Sequence, residues 1–310
     1  MIKKGINMSK ALVGFDVGGT KIEIAVLSPQ SEVLWRERLA TPKGQYDETL
    51  NTIAQLLQDA LAHLRMALPT RLGLGIPGCL DPQTQWVRGA NSQVLNGRPL
   101  KADLQNLLHT QVVLENDANC LTLSESVDGA ALGMPCVFGV ILGTGCGGGL
   151  VLDQRIWSGA NHIAGEFGHT PLPHFGLREN KVKPCWCGQS NCLERWVSGP
   201  AFREDHMESF QEDLDPETIV EAMRAGSAKA RQSFELYVDR LARGLAQIVN
   251  TIDPSCIVLG GGMSNVDELY PALGAQIEQY AFKKRLQTRI VKAAHGDSSG
   301  VRGAAWLSRE

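Results

Sequence analysis

Two short stretches of this chain resemble each other more than either resembles its surroundings. Residues 12–27 read LVGFDVGGTKIEIAVL: an apolar run, an acid with glycines, then an alternating run carried by Ile22, Ile24 and Val26. Residues 137–152 read VFGVILGTGCGGGLVL, again an apolar run, a Gly-Thr-Gly turn and a second apolar run. Each spells strand, turn, strand, with a turn richer in glycine than chain reversal requires. No period of 20–50 residues is present, so this is not a solenoid. Two related hairpins about 125 residues apart predict two similar lobes facing each other.

Helices fill the space between. Residues 47–66 place Leu50, Ile53, Leu57, Leu61 and Leu64 at helical spacing, with Asp47 as the expected N-cap. Over residues 227–252, Phe234, Val238, Leu241, Leu245, Ile248 and Ile252 step by three or four, and Asp253-Pro254 stops the helix. Residues 256–259 read as a short buried strand running into Gly260, Gly261 and Gly262. A strand at 112–114 ends in Glu115-Asn116-Asp117, followed by a helix-compatible stretch. Strand-then-helix recurs, which makes the class α/β. The expected division is a small N-terminal lobe of residues 1–116 plus 298–310 and a large C-terminal lobe of residues 117–297. The last helix, 299–309, would then return to the first lobe.

Composition narrows the partners. With 30 Lys+Arg against 33 Asp+Glu, the net charge of −3 argues for neither a nucleic-acid nor a membrane partner. Residues 129–152 carry no charge, but Pro135 and eight glycines make them a poor membrane helix, and strand, turn, strand fits them better. Glycine, 33 of 310 residues, is in excess, and its clusters are expected to mark particular loops. The first residues lack the apolar core of a secretory signal. Eight cysteines without such a signal point to thiols or a metal, and to the cytoplasm.

Asp16-Val17-Gly18-Gly19-Thr20-Lys21 is the first candidate site. Glycines let backbone N–H groups approach a phosphate, Thr20 adds a hydroxyl and Lys21 a charge, while Asp16 is placed to hold Mg²⁺ through water. The plainer alternative is a hairpin turn with an ordinary salt bridge. A second turn, Gly143-Thr144-Gly145-Cys146-Gly147-Gly148, and the cluster Gly260, Gly261 and Gly262 favour a nucleoside triphosphate, with two loops for phosphates and one for adenosine. The chain carries no G-x-x-x-x-G-K-[ST], H-R-D or D-F-G, and neither hairpin turn is a G-x-G-x-x-G opening a helix. It is therefore neither a P-loop protein nor a protein kinase, and the turns weigh against a Rossmann dehydrogenase.

Asp117, where a strand gives way to a helix, is the candidate general base; its alternative is to cap that helix. Asn116 and Asn91 suit sugar hydroxyls or could be turn residues. The sharpest local signal is Cys185-x-Cys187-x₄-Cys192 with His169 upstream, a Cys₃His set for a closed, structural zinc site; free thiols with a surface histidine are the alternative. His169 could bind metal through one nitrogen and present the other to a ligand. Glu166 and Glu194 flank these residues and could face the same pocket. Two such acids can also make a glycosidase pair, but the nucleotide loops outweigh that. His295 is read as a surface or packing residue.

In order along the chain, D-V-G-G-T-K, G-I-P-G, E-N-D-A-N, G-T-G-C-G-G-G, G-E-F-G-H, C-x-C-G-x₃-C-x-E and G-G-G resemble the ROK family of bacterial sugar kinases. The resemblance implies a two-lobed actin-like or hexokinase-like (ribonuclease H-like) fold with a central cleft, ATP with Mg²⁺, and usually a homodimer. It places the base on Asp117, sugar contacts on Asn91, Asn116, Asp117, Glu166, His169 and Glu194, and zinc on His169, Cys185, Cys187 and Cys192. The flanks ANSQVLNGRPL, SESVDGAALG and HGDSSGVRGAAWL are most similar to its fructokinases, which implies transfer to the 6-hydroxyl of D-fructose. N-acetylglucosamine kinases and glucokinases are the alternatives. Gly89 stands where many relatives carry an Asn. A sugar-responsive repressor would need a helix-turn-helix ahead of Asp16, for which no room is expected.

Overall fold

The run Leu12–Val17 forms β1 at the centre of a five-stranded sheet. On one side it pairs antiparallel with β2 (Lys21–Leu27), which pairs with β3 (Val33–Ala40). After helix α1 (Tyr46–Leu64), β4 (Arg71–Ile76) joins its other side in parallel. A small ribbon, β5 (Cys79–Leu80) with β6 (Val87–Arg88), and helix α2 (Leu100–Leu108) precede β7 (Gln111–Asn116), parallel to β4. Helix α3 (Asp117–Val127) then crosses to a second sheet.

That sheet repeats the plan. Strands β8 (Cys136–Leu142) and β9 (Cys146–Leu152) form the hairpin, and β10 (Arg155–Ile156) takes the outer place. Helices α4 (Glu194–Val197), α5 (Gly199–Phe210), α6 (Pro216–Arg224) and α7 (Ala228–Ile252) lead to β11 (Cys256–Gly260), parallel to β8. Helix α8 (Leu269–Tyr280) precedes β12 (Arg289–Lys292), and α9 (Ser299–Leu307) closes the chain. The orders β3-β2-β1-β4-β7 and β10-β9-β8-β11-β12 correspond strand for strand. The computed structural model describes residues 10–90, 92–176 and 178–309, and among them no helix is long and apolar enough to cross a membrane.

Each sheet has its own apolar core, and a third cluster lies between the sheets. The third contains Leu123 of α3 and Val301, Ala305 and Trp306 of α9 together with strand residues of both sheets. Helix α3 buries every residue from Ala118 to Ser126, which explains why its sequence shows no apolar stripe. The two helices trade places: α3 follows the first sheet yet packs on β8 and β9, and α9 follows the second yet packs on β1 and β4. Glycines make this possible. A Cβ on Gly73 would lie 1.7 Å from Ala304 O, and one on Gly139 would lie 1.9 Å from Thr122 Oγ1. Where the helices meet, a Cβ on Gly303 would lie 1.7 Å from Cys120 O.

These glycines correct part of the sequence reading, because much of the glycine excess seats helices on strands and does not make loops. Gly147, Gly148 and Gly149 lie within β9, and the turn itself is only residues 143–145. Asp47 is not the N-cap of α1; Gln45 holds that position without a side-chain bond, and Asp47 sits in the first turn. Helix α7 begins as expected, with Ser227 Oγ accepting from Ala230 N at 3.3 Å, and ends in left-handed Asp253. His295 is a packing residue, as read, but a bonded one. With Ala130 N, Ala294 N and Ser299 Oγ, its backbone N–H donates to the fully buried Glu125 carboxylate, joining α3 to the start of α9.

A candidate active site at the carboxyl ends of the strands

Several of the residues singled out in the sequence line two cavities near the carboxyl ends of parallel strands, as expected for a ligand crevice in an α/β fold. The turn between β8 and β9 separates two cavities. Gly143 and Thr144 line one of about 750 Å³, together with Gly262 and residues of α5 and α6. Gly145, Cys146 and Gly147 line the other, of about 680 Å³, together with Asn116, Asp117, Glu166, His169 and Glu194. Gly18, Gly19, Thr20 and Lys21 line neither cavity. Their turn is closed by Gly18 N donating to Lys21 O at 2.9 Å and pinned by Thr41 Oγ1 donating to Gly18 O at 2.7 Å. Lys21 Nζ stands 3.9 Å from Glu23, the ordinary salt bridge of the plainer alternative. Asn91 lies outside the described residues.

Asp117 is the first residue of α3, but it is not the cap. Asn116 caps the helix, its Oδ1 accepting from Ala118 N at 2.8 Å and Asn119 N at 3.4 Å while Nδ2 donates to Gly78 O at 3.0 Å. The capping alternative therefore belongs to Asn116, and Asp117 is left to face the cavity. Burial pushes its carboxyl up to about 7, the neighbouring Asp16 and Glu166 adding to the shift against bonds from the backbone N–H groups of Ala118 and of Asp117 itself. Asp16 is the next-to-last residue of β1 and lies 3.4 Å from where a Cβ on Gly300 of α9 would stand. Burial raises it to about 6, with Lys21 opposing and Glu23 adding. Beneath the first turn, Glu23 is fully buried and is held by Arg36 and by Arg38 Nη2 at 2.7 Å.

Glu194 opens α4. Its Oε2 accepts from Cys146 N at 3.0 Å and its Oε1 from Trp186 Nε1 at 2.8 Å. Glu166 is raised above its ordinary value by burial, with His169 opposing and Glu194 adding. His169 Nδ1 lies 3.6 Å from Cys185 Sγ, and Cys187 Sγ lies 3.5 Å from Cys192 Sγ. All four candidate ligand atoms fall within 4.8 Å of one another. Tetrahedral zinc with Zn–S bonds of about 2.3 Å sets its sulfurs about 3.8 Å apart, so the donor set and spacing fit that metal. The loop bearing these residues is clamped to α7 and α5. Glu179 accepts from Arg240 Nε at 3.0 Å and Arg243 Nη2 at 2.6 Å, and Lys183 Nζ donates to Asp205 at 2.9 Å.

Not every glycine of the third cluster faces a ligand. Gly260 lies in β11, where a Cβ would come within 2.4 Å of Leu121 Cδ1, so its size serves helix packing. Gly261, at φ +81°, turns the chain against Leu142 O, and only Gly262 lines the larger cavity. Sequence reasoning missed Arg203, Asp215 and Arg224 around that cavity and Trp186 and Ile163 around the other. The first three come from helices packed against the turn, and no local pattern marks them.

Two matching sheets, crossed by exchanged helices and opening on paired cavities, define a hexokinase-like α/β fold. Residues 12–310 match the ROK family, and the chain belongs to it. It is 41% identical over 299 residues to an N-acetyl-D-glucosamine kinase of Pectobacterium carotovorum, covering 95% of this chain and 97% of that one. The crystal structure of a ROK hexokinase from Thermus thermophilus superposes with a TM-score of 0.84 at 30% identity, covering 96% of this chain and 97% of that one. A ROK family glucokinase from Streptomyces griseus, solved with glucose and AMPPNP, superposes with a TM-score of 0.79 at 27% identity over 96% and 99% of the two chains.

Proposed function

We propose that this ROK-family sugar kinase transfers the γ-phosphoryl group of ATP to the 6-hydroxyl of N-acetyl-D-glucosamine. The observation that carries the kinase reading is the single glycine turn, residues 143–145, that walls both cavities. A group held on the Gly143–Thr144 side needs only to pass that turn to meet a hydroxyl held beside Asp117. The relative named for N-acetyl-D-glucosamine favours the alternative of the sequence reading over its fructose expectation, which rests on flanking similarity alone.

In this reading the larger cavity takes the adenosine against Gly262, and Gly143, Thr144 and Gly145 offer backbone and hydroxyl donors to the phosphates. Gly18, Gly19, Thr20 and Lys21 approach the same triphosphate from the first lobe as that lobe closes. Glu166, His169, Glu194 and Asn116 hold the sugar, the Asn116 amide keeping one N–H beyond its bond to Gly78. Asp117 takes the hydroxyl proton as the sugar oxygen bonds to phosphorus and the bond to the β–γ bridging oxygen breaks, leaving ADP. Asp16 is the residue to hold Mg²⁺, which when bound neutralises charge on the phosphates. His169, Cys185, Cys187 and Cys192 would hold a structural zinc that fixes the loop. The lobes divide after Asn116 and before residue 298, and the enzyme acts as a cytoplasmic homodimer, checked by light scattering.

A coupled ADP-release assay with N-acetylglucosamine, fructose, mannose and glucose tests the substrate. The highest kcat/KM is expected for N-acetylglucosamine; a preference for fructose restores the fructokinase reading, and release with none of them removes the kinase.

A further inference from the structure

We propose that Trp186 is a positioning residue of the sugar site, holding the Glu194 carboxylate in place to accept a sugar hydroxyl. The inference rests on the reading of Glu194 as a sugar contact. Trp186 stands between two candidate metal ligands, Cys185 and Cys187, and lines the smaller cavity with Glu194. Its indole N–H donates to Glu194 Oε1 at 2.8 Å, while Oε2 takes the N–H of Cys146 at 3.0 Å. The two carboxylate oxygens are thus fixed by donors from separate elements, the metal-binding loop and β9. The Trp186 ring also meets the His169 ring edge-on, with centroids 4.8 Å apart at 87°.

Trp186 nevertheless keeps 63% of its surface exposed, so filling a core does not account for a tryptophan here. What the side chain supplies is one aimed donor on a rigid ring. A carboxylate offers about four lone-pair positions, so two N–H partners leave room for hydroxyls of the sugar. An acceptor fixed before the sugar arrives loses less freedom on binding. Trp186 acts through Glu194 and not on the transferred group, so its contribution falls on sugar affinity and not on the chemical step. It also gives the metal loop a direct line to the pocket.

Trp186→Phe keeps a ring and removes the N–H. It should raise KM for the sugar about tenfold, with kcat changed less than about twofold. Zinc content after loading and the thermal midpoint should stay at wild-type values. Glu194→Gln should raise KM on its own, and the double variant should be no worse than the poorer single one, as for two groups acting as a unit. If Glu194→Gln leaves KM unchanged, the reading of Glu194 falls and the inference with it. If Glu194→Gln raises KM but Trp186→Phe does not, or the two effects multiply, Trp186 has no positioning role while Glu194 keeps its own. Loss of zinc or of stability in Trp186→Phe makes the residue structural and overturns the proposal.

Discussion

The hairpins β1–β2 and β8–β9 begin alike and are continued differently. In the first lobe the chain runs on into β3, eight residues long, whose Arg36 and Arg38 neutralise the buried Glu23 beneath the turn. In the second lobe the matching strand, β10, stops after two residues, and the chain leaves the sheet. The connection that follows carries Glu166, His169, Trp186 and Cys187 to one cavity wall. The frame is therefore duplicated and the chemistry is not. A sheet edge that continues regularly yields a stable support, and the pocket is built where regularity is given up and a clamp on α7, beside a Cys₃His cluster, holds the loop instead.

If the chemistry is confined to one side in this way, the largest loss should come from Asp117 at the crossing between the lobes. Asp117→Asn should keep sugar binding by calorimetry but lower turnover about 10²–10⁴-fold; a variant retaining about a tenth of wild-type rate or more removes Asp117 as the base. Next, Cys187→Ser should release metal and either raise sugar KM about tenfold or lower the melting temperature, an effect with no counterpart in the first lobe. Metal-free protein with full activity would defeat that half of the contrast. The helix seats sharpen it further. Gly73→Ala meets the backbone oxygen of Ala304, whereas Gly139→Ala meets the Thr122 side chain, whose hydroxyl can turn only by giving up its bond to Ala118 O. Overpacking costs about 1–3 kcal/mol, so denaturant titration should place Gly73→Ala at the top of that range and Gly139→Ala below it. Equal losses would show both seats to be equally rigid.

The smallest expected effects are those of pH. Asp117 must be ionised to act, so kcat/KM should rise with pH and level off above about 7. Stability runs the other way. Folded Asp16 and Asp117 titrate near 6 and 7 against an ordinary 3.8, so the folded state binds more protons between about pH 4 and 7 and loses stability as pH rises through that window. Thermal melts of Asp117→Asn should show a flatter fall from pH 5 to 8; an unchanged slope places the titrating group elsewhere.

The hairpins, helix α7 and the Cys₃His set were legible because each is written in local spacing. Four side chains spread from His169 to Cys192 come within 4.8 Å through turns encoded between them. The interior glycines were not legible: Gly149 and Gly260 look like loop formers until the helices that press on them are seen. Nor was Asn116, whose capping role depends on which of two adjacent polar residues points back along the helix. Arg203, Asp215 and Arg224 reach the larger of the two cavities from α5, the cap of α6 and α6, whose packing no short pattern predicts. The sugar itself was not legible: the fructose expectation rests on flanking segments, which report ancestry, while hydroxyl stereochemistry is set by the pocket wall, and the curated relative is named for the alternative, N-acetylglucosamine.

The exchange of α3 and α9 bears on how such a chain comes into being. Until α9 arrives, β1 and β4 offer a glycine furrow at Gly14 and Gly73, the two positions that Ala304 and Ala305 of α9 press against. During synthesis the first sheet must wait until the second has been made before α9 covers this face, so the two lobes mature together and neither is finished first.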